Sequence, residues 1–326
     1  MKSFKNPLIV TLILIMIIIG GIYGYLSYIL PNGGKVEVLS IGLSKERVER
    51  GRYLAVALCM DCHSTRDWSK FSGPIVPGTL GMGGEEFNQK MGFPGNFYAS
   101  NITPASLIKW SDGEILRAVT TGVSKDGRPL SPIMPYLAYG KMAIEDIYSI
   151  IAYIRTIKPI INEVKVSEPS FPFSLILRTI PQEANFGYLP DRKTDPVGLG
   201  AYLINAASCA DCHTPVDDSG KGILGMEFAG GRTFKTPMGT IRSANISTDE
   251  TTGIGSWTEE SFVRRFKAYA DTSYHSPLIG KGGVQTLMPW TRYAQFNTRD
   301  LKAIYAFLKT QNPVRNEVVK FEAAKN

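Results

Sequence analysis

One short motif occurs twice in this chain and uses all four of its cysteines. Residues 59–63 read CMDCH and residues 209–213 read CADCH, so each copy has two cysteines separated by two residues and followed directly by a histidine. Matched segments flank both copies in the same order: 51–54 with 200–203, 83–87 with 230–234, 101–103 with 245–247, Trp110 with Trp257, 134–136 with 288–290, and 146–156 with 300–310. The sequence therefore predicts a duplicated domain that builds the same kind of site twice.

Several kinds of site use a cysteine pair at this spacing. A structural zinc ion needs four close ligands, and a second C-x-x-C pair usually follows within roughly 15 to 20 residues. Here the second pair follows 150 residues later, so a zinc ion would have to bridge the two copies. A redox dithiol normally accompanies a βαβ pattern, which we do not find, and a disulfide would leave the repeated histidine unexplained. The zinc site, the redox dithiol and the disulfide each stay open as alternatives.

Covalent attachment of haem c explains every position of the motif. On one helical turn the two thiols face the same way and can bond to two vinyl groups of one porphyrin, while the next residue offers its imidazole to the iron. We therefore predict two covalently bound haem c groups, with these attachment and proximal residues: Cys59, Cys62 and His63 for the first, and Cys209, Cys212 and His213 for the second.

A methionine is expected on the opposite face of each iron, where it raises the reduction potential and blocks the site to other ligands. Met134 and Met288 are the candidates, because each precedes a proline and an aromatic residue and the two occupy matching points of the repeat. The proline fixes the local chain, which helps to hold a thioether sulfur in place. Met82, Met91 and Met238 are fallback candidates, although a single methionine is usually core filler.

The chain begins with a long apolar run. No charged residue lies between Lys5 and Lys35, and the run from Leu8 to Leu30 is long enough to cross the ~30 Å hydrocarbon layer as a helix. We predict an uncleaved single-pass anchor rather than a removed signal peptide, because no A-x-A-like cleavage site follows. Lys2 and Lys5 precede the run, so the body is predicted on the periplasmic side of the cytoplasmic membrane.

The rest of the sequence predicts helices. Ser44 and Asp195-Pro196 are suited to begin helices that lead into the motifs, and apolar stripes near 144–157 and 301–308 predict a closing helix for each copy. Short helices are expected after Trp110 and Trp257. No segment alternates as a strand does, so the predicted fold class is all-α. The predicted organisation is an anchor (1–34), a first repeat (44–157), a Pro-rich connector (158–194), a second repeat (195–313) and a tail (314–326).

The distribution of charge along the sequence bears on one class of function, the binding of nucleic acids. The formal net charge of +7 is spread along the chain without a basic block or an aromatic-interleaved basic stripe. Nucleic-acid binding is therefore not expected. The segments NIT at 101–103 and NIS at 245–247 fit the glycosylation pattern, but their repetition predicts an asparagine that bonds to its own loop.

These motifs resemble the class I cytochrome c domain, and in particular the multihaem cytochrome subunits of membrane-bound alcohol and gluconate dehydrogenases. The resemblance implies two tandem all-α haem domains, with His63 and Met134 as one axial pair and His213 and Met288 as the other. It also implies electron transfer, without catalytic residues, between a periplasmic donor and the respiratory chain. Expected partners are redox proteins: a dehydrogenase subunit, a terminal oxidase or a soluble cytochrome. The family's subunits commonly carry three haem domains, whereas this sequence has two motifs.

A different class of function stays open beside electron transfer. A dihaem cytochrome c peroxidase or a haem-based sensor would need one haem that is open or ligated by a histidine. His275 is the only histidine outside the motifs and has no counterpart in the first copy, so we interpret it as a loop residue.

Overall fold

The computed structural model describes residues 7–271, 273–280 and 282–324. Helices form most of its regular structure. The α-helices are α1 Pro7–Gly24, α2 Lys45–Leu58, α3 Pro104–Leu107, α4 Asp112–Thr121, α5 Tyr136–Tyr139, α6 Ile144–Thr156, α7 Phe173–Ile176, α8 Pro196–Ala206, α9 Cys209–His213, α10 Glu259–Lys267, α11 Trp290–Tyr293 and α12 Thr298–Leu308. Short turns of other helix types occupy Tyr25–Ile29, Gln89–Met91 and Leu177–Thr179.

Two small antiparallel sheets correct the prediction of an all-α fold. One has the strand order β1 Glu86–Phe87, β2 Gly95–Tyr98, β3 Glu168–Pro169; the other has the order β4 Thr233–Thr236, β5 Gly239–Arg242, β6 Phe321–Ala323. Strands of two to four residues are too short to show an alternating pattern. The third strand of each sheet also comes from a distant segment, β3 from the connector and β6 from the predicted tail.

The predicted helices before and after each motif are present, and the two opening helices begin at the expected caps. The Ser44 side chain accepts a hydrogen bond from the Arg47 backbone N–H, and Asp195 caps α8 through the Gly198 N–H at 2.7 Å. Helix α4 follows Trp110 with a capping box between Ser111 and Glu114. Local signals at helix starts were therefore sufficient to predict these elements.

The opening helix of each repeat crosses its closing helix at a glycine. A Cβ atom at Gly51 would lie 1.7 Å from the carbonyl oxygen of Ser149, so α2 and α6 touch backbone to backbone. A Cβ atom at Gly200 would lie 2.0 Å from the carbonyl oxygen of Ala303, which gives α8 and α12 the same close crossing. Each repeat is thus built on one tightly packed helix pair.

The two repeats share one hydrophobic core and exchange hydrogen bonds across it. Leu54, Ile147, Leu199 and Leu301 are fully buried in a single cluster that includes both helix pairs. The Tyr53 hydroxyl donates to Asp300 at 2.6 Å, and the Tyr202 hydroxyl donates to Asp146 at 2.6 Å. Each repeat therefore binds the closing helix of the other through an equivalent tyrosine.

The connector lies along the first repeat rather than apart from it. Strand β3 pairs with β2, and the Phe173 ring meets the Phe97 ring edge-on at 6.3 Å between centroids. The Asn101 side-chain amide donates to the carbonyl of Ile160 at 2.8 Å. The connector thus includes one strand and the short helix α7.

The apolar N-terminal run forms a helix that stands clear of the body. It extends over Pro7–Ile29, has a mean hydropathy of 2.5, and buries none of its residues in the protein. The Arg178 guanidinium donates to the carbonyl oxygens of Leu30 at 2.9 Å and Ser27 at 3.3 Å, at the end of this helix. Lys2 and Lys5, on which the predicted orientation depends, lie outside the described residues.

Candidate haem-attachment sites

Both motifs lie on a helical turn directly after the opening helix of their repeat. In the first motif the Cys59 N–H continues the α2 bonding to the Ala55 carbonyl at 2.8 Å, and the His63 N–H donates to the Cys59 carbonyl at 3.1 Å. In the second, Ser208 takes a left-handed conformation with φ of 51° and α9 follows over Cys209–His213. Among the described residues all four cysteines are free thiols.

The two motif histidines are oriented in the same way. Nδ1 of His63 lies 2.7 Å from the carbonyl oxygen of Ser100, and Nδ1 of His213 lies 2.7 Å from that of Ala244. A carbonyl oxygen can only accept, so Nδ1 carries the proton and donates it to this bond. Nε2 then holds its lone pair outward, which is the arrangement that an imidazole needs to bind a metal.

The carbonyls that orient the histidines belong to the residues directly before two buried asparagines, Asn101 and Asn245. Oδ1 of Asn101 accepts from the Thr103 N–H at 2.9 Å, and Oδ1 of Asn245 accepts from the Ser247 N–H at 2.9 Å. Asn245 also donates from its amide to the Val314 carbonyl at 2.8 Å. Both asparagines are 5% exposed, so the prediction of a loop-bonding role is confirmed and a glycan would have no room.

The pKa shifts at the motifs agree with a ligand role for the histidines and disagree with a redox role for the cysteines. Desolvation lowers the pKa of His63 and of His213 more than their backbone bonds raise it, so both rings are neutral near pH 7. Desolvation raises the pKa of Cys59 to about 12 and that of Cys62 to about 11. Reactive dithiols have the opposite property, a lowered thiol pKa.

The zinc alternative lacks a ligand set in the part of the chain that the structure describes. There, no group of three or more His, Cys, Asp or Glu side chains is gathered closely enough to hold a metal ion. A tetrahedral site would need four such ligands.

Met134 and Met288 occupy equivalent turns. The Tyr136 N–H donates to the Met134 carbonyl at 2.8 Å, and the Trp290 N–H donates to the Met288 carbonyl at 2.8 Å. Both methionines are half-buried and pack against the same core cluster as Cys59 and Cys209. Met142, by contrast, is fully buried and acts as core filler. The axial role of Met134 and Met288 remains a prediction.

Two tyrosines that the sequence analysis overlooked connect these turns to the motifs. The Tyr139 hydroxyl donates to the carbonyl of Leu58, the residue before Cys59, at 3.0 Å. The Tyr293 hydroxyl donates to the carbonyl of Ala207 at 3.0 Å in the second repeat. Both tyrosines stand five residues after the candidate methionine, and this shared offset was the available signal.

The first motif contacts the second repeat at the interface between the repeats. Asp61, inside the first motif, lies 3.6 Å from Arg66 of its own repeat and 3.7 Å from Arg292 of the second repeat. Desolvation raises the pKa of Tyr293 well above its usual value, and charge on cysteines of both motifs raises it further. Tyr293 therefore lies within electrostatic range of both sites.

A further pair of contacts joins the first site to the loop that carries Met288. The Ser72 hydroxyl donates to the Met288 carbonyl at 2.6 Å, and its backbone N–H donates to the Gln285 side-chain oxygen at 2.8 Å. The residues after the first motif thus help to position Met288, the candidate iron ligand of the second site.

Each site offers a donor set that fits haem c. It has two free thiols on one turn, a neutral imidazole with Nδ1 already bonded, and a half-buried thioether on the same core. The donor sets of both sites are compatible with those of a c-type cytochrome.

Comparisons with known proteins identify particular relatives. The chain is 28% identical over 287 residues to the cytochrome c subunit of the quinone alcohol dehydrogenase of Gluconacetobacter polyoxogenes, covering 82% of this chain and 56% of the relative. It is 30% identical over 233 residues to the fructose dehydrogenase cytochrome subunit of Gluconobacter japonicus, covering 68% and 44%. It is 27% identical over 283 residues to the gluconate 2-dehydrogenase cytochrome c subunit of Pantoea cypripedii, covering 81% and 59%.

These relatives confirm the resemblance to cytochrome subunits of alcohol and gluconate dehydrogenases. Their names imply covalently bound haem c and an electron-transfer component of a dehydrogenase. The chain spans about half the length of the relatives that it matches. No protein-family model matches the chain.

Proposed function

We propose that this chain is a membrane-anchored dihaem c-type cytochrome that passes single electrons from a periplasmic donor to the respiratory chain. The observation that carries the proposal is the pair of equivalent motifs, each with a histidine whose Nδ1 donates to a backbone carbonyl. Residues 44–157 and 195–313 would each form one class I cytochrome c domain.

Each protein group has a defined task in this proposal. Haem c, when bound, supplies the one-electron iron couple. The thiols tether the porphyrin, the Nδ1 bonds of the histidines fix the ring plane, and the tyrosine bonds keep the Met-Pro turns against the motifs. The proposed iron ligands are His63 with Met134 and His213 with Met288.

The names of the relatives support a dehydrogenase as the electron donor. They are cytochrome subunits of alcohol, fructose and gluconate dehydrogenases. We propose a periplasmic dehydrogenase subunit as donor, and a terminal oxidase, a soluble cytochrome or another respiratory component as acceptor. The unburied helix Pro7–Ile29 supports a single-pass anchor in the cytoplasmic membrane, with the body on the periplasmic side.

Near-infrared magnetic circular dichroism of the oxidised protein, combined with a haem count per chain, tests the proposal. We expect two haem c groups, both low-spin and ligated by histidine and methionine. A high-spin or bis-histidine iron would instead favour the peroxidase or sensor alternative. A count of one haem per chain would show that only one of the two motifs attaches haem.

Replacement of the candidate methionines tests their ligand role directly. Met134→Leu or Met288→Leu should remove the histidine–methionine signature of one haem and lower its potential, because thioether ligation raises the potential. Met226→Leu, at a half-buried methionine outside the candidate and fallback set, is the control and should leave both signatures in place. An unchanged spectrum in the Met134 variant would assign the ligand to another residue.

A further inference from the structure

We propose that a part of the connector, residues 171–179, rests in the head-group region of the membrane beside the anchor helix. We call this part the connector turn. It would give the haem-bearing body a second attachment to the lipid surface and so fix its tilt. The inference rests on the proposed membrane anchor and adds a lipid-binding site to it.

The hydrogen bonds of Arg178 place the connector turn at the end of the anchor helix nearest the body. The Arg178 guanidinium bonds the carbonyls of Ser27 and Leu30, which close the apolar helix on the side of the body. A helix over the 23 residues Pro7–Ile29 is about 35 Å long at ~1.5 Å per residue, slightly more than the ~30 Å hydrocarbon layer. Leu30, and with it Arg178, therefore lies at the level of the lipid head groups.

The connector turn has an inner and an outer apolar side. Leu177 is 2% exposed, and Phe173 packs on Phe97 of the first repeat, so these two side chains hold the turn to the body. Phe171 and Ile176 point away from the protein and are 80% and 51% exposed. No charged residue occurs between Glu168 and Arg178, so the outer side can enter the interface without desolvating an ion.

The end of the anchor helix nearest the body has the amino-acid composition that is typical of a membrane interface. Tyr23, Tyr25 and Tyr28 are exposed near its end on the side of the body, and aromatic residues are enriched where the hydrocarbon meets the head groups. The outer side of the connector turn continues this aromatic belt. Two outward side chains form a smaller patch than a stable protein interface needs, which favours lipid over a protein partner.

Photolabelling of the full chain in lipid nanodiscs tests the proposal. Discs that hold one chain each would contain phosphatidylethanolamine with a diazirine near the carbonyl of its acyl chain. Trypsin separates three informative peptides: residues 6–35 with the anchor, 166–178 with the connector turn, and 222–232 with Leu224, an exposed apolar side chain of the second repeat. We expect lipid adducts on the first two peptides and at least tenfold fewer on the third.

Paired variants assign the adducts to the outer side chains. Phe171→Ser combined with Ile176→Ser should reduce the adducts on 166–178 at least fivefold and leave those on 6–35 unchanged. Leu224→Ser is the matched control and should change neither. Adducts on 6–35 without adducts on 166–178 would overturn the proposal while the anchor stands. Absence of adducts on both peptides would refute the anchor and the connector contact together.

Discussion

Asp146 and Asp300 occupy matching positions at the start of the closing helices, but their surroundings differ. Arg50 donates to Asp146 from Nε at 2.7 Å and from Nη2 at 2.6 Å. Leu199 occupies the position that matches Arg50, so Asp300 lacks an equivalent bidentate partner; Nη2 of Arg192, a one-third exposed side chain, lies 3.9 Å from Oδ2 of Asp300. Asp300 is fully buried, and one of its carboxylate oxygens has no hydrogen-bond partner.

This difference predicts unequal effects of the same substitution. Asp146→Asn should lower the free energy of unfolding by roughly 3 kcal/mol, because it leaves the mostly buried Arg50 without its counter-charge. Asp300→Asn should cost about 1 kcal/mol or less, because Tyr53 can still donate to the amide oxygen. Denaturant unfolding of the two variants measures both values. Equal losses would show that Arg50 contributes little.

A second pair of aspartates at matching positions, Asp61 and Asp211, lies inside the motifs. Asp61 lies between Arg66 and Arg292 with 14% of its side chain exposed, whereas Asp211 at the same position of the second motif is exposed. Asp61→Asn should raise the reduction potential of the first haem, because removing a mostly buried negative charge disfavours the ferric state. Asp211→Asn, the matched control, should shift the second potential less because solvent screens it. A spectroelectrochemical titration compares the shifts, and a larger shift for Asp211→Asn would contradict the argument.

Residue roles were predictable from sequence where they depend on near neighbours. The caps at Ser44 and Asp195 and the loop bonds of Asn101 and Asn245 follow from local patterns. The bond between Tyr53 and Asp300 joins residues 247 positions apart, and no local pattern reports such a partner. The assignment of the haem ligands rests on the motif and on the repeat.

At the scale of elements, the close helix crossings decide how each repeat is built. Gly51→Ala should destabilise the protein by about 3 kcal/mol, because the added methyl group would force α2 away from the Ser149 carbonyl. Gly42→Ala is a suitable control, since its nearest contact would be the flexible end of Arg47 at 3.8 Å. Thermal unfolding of both variants measures the difference. A stable Gly51 variant would show that the helices can separate without loss.

Helices and strands were unequally predictable for a physical reason. An amphipathic helix such as α6 repeats its apolar spacing over several turns, so the pattern is visible within one segment. Strand β2 has four residues and pairs with β1 and β3, which lie on different sides of it in the sequence. Its stability depends on those partners, and the segment alone carries little signal.

For the whole molecule, the shared core predicts cooperative unfolding. Both helix pairs bury their apolar faces in one cluster, and the Tyr53 and Tyr202 bonds cross it. Calorimetry of the intact protein should therefore give one transition for both repeats rather than two. Two separated transitions would show that the interface is weaker than its contacts suggest. Tyr53→Phe with Tyr202→Phe should broaden or split the transition.

The reciprocal bonds between the repeats have the form of a contact between identical subunits. In an isologous dimer, residue i of one subunit meets residue j of the other, and j meets i. Tyr53 with Asp300 and Tyr202 with Asp146 reproduce that rule within a single polypeptide. The two repeats therefore meet through a pseudo-two-fold contact, as two copies of one subunit would. Arg50 and Leu199, at equivalent positions of the two repeats, mark where this contact departs from exact two-fold symmetry.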